Sequence, residues 1–284
     1  MYPWLDYGGR LSPLKLLVFL SLFLPGIWVA AALAMGMLGA RPLNEAIHQI
    51  GLWTIRFLFI SLAITPARQI FQWSRLLLVR RMIGVAAFAY GAIHLTLYMT
   101  DQAFDLAKIA TEIALRIYLT IGFVALLGMA ALAATSTDSM VRRLGGPRWQ
   151  RLHQLIYGIA TLAVIHFFMQ SKAEIWEPTV MAGFLLWLLG YRVLAKRLAI
   201  RGRLPLIWVG LLGIGAGLAT ALGEALYFWL ALGVDPARVL AVNLTLMTGV
   251  RPACVVLAAG LAVTAAGLLR MVVSPPPKGR LKTA

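Results

Sequence analysis

Acidic side chains are scarce in this sequence: ten Asp and Glu stand against twenty-six Lys and Arg, and charged residues make up 13% of the 284. A soluble globular domain carries roughly one quarter charged residues. Cysteine is almost absent. The single Cys254 lies in an apolar run, which excludes a disulfide framework and a CxxC metal site. No glycine-rich turn sits between a strand and a helix pattern, and no Walker lysine motif occurs, so no dinucleotide or nucleotide phosphate cradle is encoded. No link between apolar blocks is long enough to fold alone. Internal repeats of the kind that build transporters are missing as well.

What is present is apolar. Hydrophobic residues make up 61% of the chain, in blocks of roughly 18 to 25 residues, the helical length that spans a bilayer core of about 30 Å. Helix is the form in which each such segment satisfies its own backbone in lipid. The expected fold class is therefore an all-α integral membrane protein, with helices at 14–38, 50–66, 82–100, 113–134, 150–170, 178–195, 204–232 and 252–272. The first block is too long for the apolar region of a signal peptide and is expected to be retained.

The net charge of +16 does not indicate nucleic acid, because the cations fall in short links between apolar blocks. Arg68, Arg75, Arg80 and Arg81 precede the third helix, and Arg142, Arg143, Arg148 and Arg151 lie before or at the start of the fifth. Arg192, Lys196, Arg197, Arg201 and Arg203 cluster around the end of the sixth, and Lys278, Arg280 and Lys282 close the chain. The alternate links carry Glu45, Asp101, Asp105, Glu112, Glu174, Glu177 and Asp235. By the positive-inside rule both termini are expected in the cytoplasm, which requires an even number of spans. Gly213 and Gly217, with Gly210 nearby, mark a close helix-packing face. Pro205, Pro236 and Pro252 fall near helix ends, where proline does little harm. Trp53 and Trp149 read as interface anchors, and Met169 as a gap-filling residue.

Four histidines are the chemically informative residues. His48 precedes the second expected helix, where a solvated or interfacial role is expected. His94, His153 and His166 fall within the third and fifth helices. Ionisable groups inside a membrane span are costly and mark function by default; the plainer alternative is a neutral imidazole bonded to a neighbouring helix. His94 lies 13 residues after Arg81, and His166 lies 13 residues after His153. At 1.5 Å per residue that is about 20 Å, so on parallel helices His94 and His166 share one depth, where two imidazoles can ligate a haem iron from both sides. His153 lies near the opposite face. Thirteen residues also rotate it off the stripe of His166, so two separate sites suit these three residues better than one. Arg80 and Arg81 are open to two readings: topology signals, or partners of haem propionates or another anionic cofactor.

Several segments in combination resemble the MsrQ (YedZ) family of the ferric-reductase-like transmembrane group. They are LAITPARQ at Leu62–Gln69, RRMIG at Arg80–Gly84 and HLTLY at His94–Tyr98. Further on come YLTIG at Tyr118–Gly122, ATSTDSMVRRLG at Ala134–Gly145, RWQRLHQLIY at Arg148–Tyr157 and IHFF at Ile165–Phe168. The resemblance covers roughly residues 10 to 195. It implies a ferric-reductase-like six-helix bundle over 1–200, with 201–284 as an extension carrying two further transmembrane helices. It implies haem b, one or two, on His94 and His166 with His153 at a second haem or nearby site, and Arg80, Arg81 and Arg151 on the cofactor side. It also implies electron transfer across the bacterial inner membrane to a periplasmic, MsrP-like molybdopterin methionine sulfoxide reductase. The donor would be a cytoplasmic flavin reductase or the quinol pool. Bound FMN is compatible with the family, and no residue here places it. The chain departs from the family in reading RIY at Arg116–Tyr118, where the pattern has RPY, and in its tail, which is too apolar for a flavin or nicotinamide domain.

The expected role is thus an electron-transfer subunit without a complete catalytic site of its own. The alternatives are a ferric-chelate or oxygen-reducing cytochrome, a histidine-relay proton-coupled transporter with Glu224 as its main mid-helix carboxylate, and a non-redox assembly subunit.

Overall fold

The computed structural model describes residues 3–5, 8–171, 174–200, 202–245 and 249–273. Arg201, Lys278, Arg280 and Lys282, used above to orient the chain, lie outside them. The helices are α1 (Pro13–Ser21), α2 (Leu24–Ala34), α3 (Pro42–Phe71), α4 (Leu77–Asp101), α5 (Leu106–Leu115), α6 (Ile117–Ala134), α7 (Asp138–Leu144), α8 (Gly146–His153), α9 (Ile156–Gln170), α10 (Trp176–Leu198), α11 (Leu206–Leu232), α12 (Pro236–Asn243) and α13 (Pro252–Val273). Among the described residues the only strand-like pairings are two isolated bridges. Among the described residues eight helical spans are long and apolar enough to cross a membrane, and each coincides with one expected from the sequence. The protein is an all-helical, multi-pass membrane protein. Its outer faces carry large apolar side chains, such as Leu17 at 70% and Leu230 at 71% exposure. Lipid tolerates such faces, and water does not.

The chain packs as two units, Met1–Ile64 with Arg75–Glu174, and Thr65–Ser74 with Ile175–Ala284. In the first, several expected helices are broken or longer than foreseen. The first span is interrupted between α1 and α2, where Pro25 opens α2 and cannot donate a helical hydrogen bond. The Tyr90 hydroxyl closes the gap, donating to the Leu22 carbonyl at 2.7 Å and accepting from Gly26 N–H at 2.8 Å. Helix α3 begins eight residues before the expected start. Its first turns hold Asn44, Glu45, His48 and Gln49, which break the apolar pattern, yet Pro42 starts the helix and Gln49 Nε2 donates to Glu45 Oε1 at 2.8 Å. Thirty residues make a helix of about 45 Å, longer than the apolar core of a bilayer, so a polar first segment is accommodated.

The expected helix 113–134 divides at Arg116, which is extended (φ −103°, ψ 102°) and is the N-cap of α6. Its guanidinium pairs with Glu112 at 2.5 Å and donates to Tyr118 Oη at 3.0 Å, clamping the corner. Ile117 is the first residue of α6. Proline is favoured at that position but not required, which accounts for RIY in place of RPY. The expected helix 150–170 likewise divides after His153, with Gln154 and Leu155 between α8 and α9.

In the second unit α11 and α13 meet through glycine. A β-carbon on Gly213 would lie 3.0 Å from the Gly260 Cα, and one on Gly217 would lie 3.0 Å from Leu257 Cβ. The expected small-residue face is thus a close backbone approach. Pro205 is the N-cap of α11, and Pro236 and Pro252 open α12 and α13. Glu224 is 3% exposed. It is ion-paired with Arg251 at 2.5 Å, and Asn243 Nδ2 donates to it at 3.0 Å.

A histidine-lined cavity as the candidate functional site

Within the first unit, α3, α4, α5, α6 and α9 enclose a cavity of about 530 Å3, lined by His48, His94 and His166 together with mostly apolar side chains. That volume falls in the usual range for small-molecule and cofactor sites. The two histidines expected to share a depth are therefore brought to one site.

Their hydrogen bonds match. His94 Nδ1 lies 2.8 Å from the Ile47 carbonyl, and His166 Nδ1 lies 2.7 Å from the Tyr118 carbonyl. A carbonyl can only accept, so each Nδ1 carries the proton and donates, leaving Nε2 as the lone-pair nitrogen. Among the described residues neither Nε2 makes a hydrogen bond. This is the arrangement of metal-ligating histidines, whose second nitrogen is fixed by a carbonyl or carboxylate.

Each ring is also set against a glycine. A β-carbon on Gly51 would lie 3.0 Å from His94 Nδ1, and one on Gly122 would lie 2.6 Å from His166 Nδ1. Only a residue without a side chain leaves those ring positions open. The fit favours a metal that brings its own ring of ligands. Among the described residues no three His, Cys, Asp or Glu side chains are grouped to hold a bare ion, whereas two carbonyl-oriented imidazoles on one largely apolar cavity suit a haem.

His48 is exposed, as a solvated or interfacial residue would be, but it does not precede the helix. It lies inside α3, lines the same cavity, and its ring stands 6.4 Å from that of Phe167, the neighbour of His166. The apolar pattern concealed it, because the first turns of α3 look like a link. Arg56 was passed over entirely. It sits in the middle of α3 with its guanidinium 5.0 Å from the Trp53 ring centroid, so Trp53 belongs to the helix interior rather than to its end. A cation inside an apolar block was the available signal.

The remaining expected site residues do not line this cavity. His153 ends α8 with its ring edge-on to Trp149 at 3.8 Å, and its Nε2 is buried without a hydrogen-bond partner among the described residues. Trp149 Nε1 donates to the Thr135 carbonyl at 2.8 Å, tying α8 to the end of α6. Arg81 forms an ion pair with Asp138 at 2.6 Å and reaches the Ser136 carbonyl at 3.5 Å. Its hydrogen bond and charge hold the Asp138 carboxyl below the usual carboxylate range. Arg80 is half-buried, with its carbonyl accepting from Ser61 Oγ at 3.2 Å, and Arg151 is exposed.

Residues 50–164 match the family described as ferric reductase like transmembrane component, a segment that contains His94 and His153 and ends two residues before His166. Fold, paired histidines and match together define a ferric-reductase-like transmembrane protein. Among curated proteins, the protein-methionine-sulfoxide reductase heme-binding subunit MsrQ of Rhodospirillum rubrum is 44% identical over 202 residues, 70% of this chain and 95% of its own length. The protein of the same name from Azospira oryzae is 39% identical over 69% of this chain and 84% of its own length. That of Xanthomonas campestris pv. campestris is 48% identical over 61% and 79%. The chain belongs to the MsrQ family. No solved structure matches it.

Proposed function

We propose that this chain is a transmembrane b-type cytochrome subunit that delivers electrons to a methionine sulfoxide reductase. The observation that carries this is the matched pair His94 and His166, each with Nδ1 donating to a backbone carbonyl and both lining one cavity. The printed names of the relatives, heme-binding subunits of that reductase system, support haem as the group and the reductase as the partner. Bound haem supplies a one-electron carrier whose potential follows its axial ligands, hydrogen bonds and burial. His94 and His166 would hold its iron through Nε2. The carbonyls of Ile47 and Tyr118 orient the imidazoles and raise the basicity of Nε2. Gly51 and Gly122 leave room for the rings, and Leu126, Met129 and Phe123 keep water from the apolar end of the cavity.

A second redox group near the other end of the bundle is part of the same proposal, a second haem or FMN, with His153 as its ligand or neighbour and Arg80, Arg81 and Arg151 around it. Support comes from the buried, unpartnered Nε2 of His153. Residues 1–200 form the electron-carrying domain and 201–284 an extension. In support, the Rhodospirillum relative is matched over 95% of its length by 202 residues of this chain. The cation-rich links support a topology with both termini in the cytoplasm, in a bacterial inner membrane. Electrons then run from a cytoplasmic flavin reductase or quinol to a periplasmic molybdopterin methionine sulfoxide reductase.

The test is a reduced-minus-oxidised visible spectrum of the purified chain with pyridine haemochrome quantification, followed by reoxidation with a periplasmic methionine sulfoxide reductase and its substrate. Low-spin haem at one or two per chain, reoxidised only when both reductase and sulfoxide are present, is expected. A folded chain without haem, grown with ample haem supply, overturns the proposal. A haem reoxidised by ferric chelate but not by the reductase reassigns the acceptor.

A further inference from the structure

The second unit contains a buried hydroxyl that its own helix leaves unused. Thr179, in the first turn of α10, is 4% exposed, and its Oγ1 is buried without a hydrogen-bond partner among the described residues. A helical threonine can return its hydroxyl to the carbonyl four residues back. Thr161, Thr220 and Thr264 do so at 3.0, 2.7 and 2.8 Å. Thr179 does not, although the Ile175 carbonyl stands at that position and accepts the Thr179 N–H at 3.0 Å. Its hydroxyl is turned away from its own backbone, into the packed side of the helix.

Two contacts bracket Thr179 and fix what it faces. One turn before it, Trp176 Nε1 donates to the Val250 carbonyl at 2.8 Å, which brings the start of α10 to the residue preceding Arg251. One turn after it, a β-carbon on Gly183 would meet Thr220 Oγ1 of α11 and Val256 of α13. Residues four apart share a helix face. One turn beyond Gly183, Thr220 and Val256, toward this end of the unit, stand Thr179, Glu224 and the start of α13 beside Arg251. Three helices therefore converge on the Glu224 carboxylate, which is 3% exposed and accepts from Arg251 and from Asn243 Nδ2.

Two further atoms around that carboxylate, Asn243 Oδ1 and Arg251 Nε, are buried without a hydrogen-bond partner among the described residues. Buried polar atoms are nearly always satisfied, and each one left bare is costly. Their chemistry defines the missing occupant. Asn243 directs its Nδ2 at Glu224, so its amide orientation is set and Oδ1 is left as an acceptor. Arg251 Nε only donates, and the Thr179 hydroxyl can do either. The occupant must both donate and accept. Glu224 and Arg251 cancel in charge, so it is neutral. A buried water makes about three hydrogen bonds to groups of this kind, and a gap too wide for a direct bond is the place for one.

We infer that the second unit binds ordered water where α10, α11 and α13 meet, held by Thr179 Oγ1, Asn243 Oδ1 and Arg251 Nε beside the Glu224 carboxylate. The water extends the Glu224–Arg251–Asn243 network onto α10. It also supplies the additional hydrogen bonds that a buried ion pair needs to offset its desolvation. The site makes no use of haem and stands independently of the electron-transfer reading.

The experiment compares full-length wild type with Thr179→Val, which keeps the shape of the side chain and removes the hydroxyl. A bare hydroxyl and a hydrated one predict opposite signs. If Thr179 is bare, valine relieves an unsatisfied group and leaves the melting temperature in detergent equal or higher. If Thr179 holds water, valine breaks a hydrogen bond and lowers the melting temperature by about 2–4 °C. The lowering is expected. A density map of the wild-type protein, fine enough to show ordered water, should have a compact peak within hydrogen-bond distance of Thr179 Oγ1 and Asn243 Oδ1. A melting temperature for Thr179→Val at or above that of wild type overturns the inference. So does a map without the peak, whatever the stabilities, and so does a peak that continues into a chain, which marks the hydroxyl of a bound amphiphile instead of water. If Thr179→Val fails to fold, the wild-type map decides alone.

Discussion

The imidazole of His166 lies so close to Gly122 that a β-carbon on the glycine would stand 2.6 Å from Nδ1 and 2.7 Å from Cε1. The ring cannot retreat without giving up the Tyr118 carbonyl that holds it. Glycine at this position is thus a condition for the orientation of this imidazole. Gly51 holds the same relation to His94, less tightly, at 3.0 Å.

Gly122→Ala should therefore displace the His166 ring at a cost of about 1–3 kcal/mol, the usual range for overpacking. Haem content should fall markedly in pyridine haemochrome assays, and Gly51→Ala should lose less. Equal and full haem content in both variants would contradict the close approach.

His94→Ala and His166→Ala should each abolish one and the same low-spin signal, since the two rings line a single cavity. His153→Ala should leave that signal intact and remove a different component, or only transfer from the cytoplasmic side. Low-temperature electron paramagnetic resonance of the three variants separates these cases. A full wild-type signal in either of the first two would break the pairing.

The Arg81–Asp138 pair lies at the end of the bundle where α7 begins, and Arg81 depresses the Asp138 carboxyl. A carboxyl whose folded value lies below its unfolded value, about 3.9 for Asp, stabilises the fold above that pH. The contribution fades as pH falls through the folded value. Both side chains are part-exposed, at 35% and 50%, so the effect should be small, below about 1 kcal/mol. Asp138→Asn should lower the melting temperature slightly at pH 7, and the gap should close toward pH 3. A gap that widens on acidification would reverse the assigned sign.

Glu224 and Arg251 form a buried pair in the second unit, with Asn243 donating to the same carboxylate. Removing one partner of a buried pair leaves a charge uncompensated and costs about 3–5 kcal/mol. Glu224→Gln should thus lower thermal stability in detergent well beyond Asp138→Asn, while the visible spectrum of the loaded protein stays unchanged. Normal stability with altered electron transfer would instead point to a redox-linked carboxylate.

The membrane class, the eight spans and their approximate limits were legible in the chain, because a span must be about 20 residues of nearly pure apolar composition whatever it packs against. That His94 and His166 reach one depth was legible as well, since equal distance from a cationic boundary means equal depth on parallel helices, and both line one cavity. The breaks were not. Tyr90 completes the Leu22–Gly26 gap from 64 or more residues away, and Arg116 closes the α5–α6 corner through Glu112 and Tyr118, so periodicity along the chain carries no trace of either. His48 was hidden for the same reason. Sequence pattern assigned it to a link, and only the convergence of α3, α4 and α9 brings it to the cavity of His94 and His166. Depth and span follow from local composition, because lipid imposes them on each helix separately. Which ring meets which carbonyl depends on contacts 47 and 48 residues apart, and those exist only once the helices have packed.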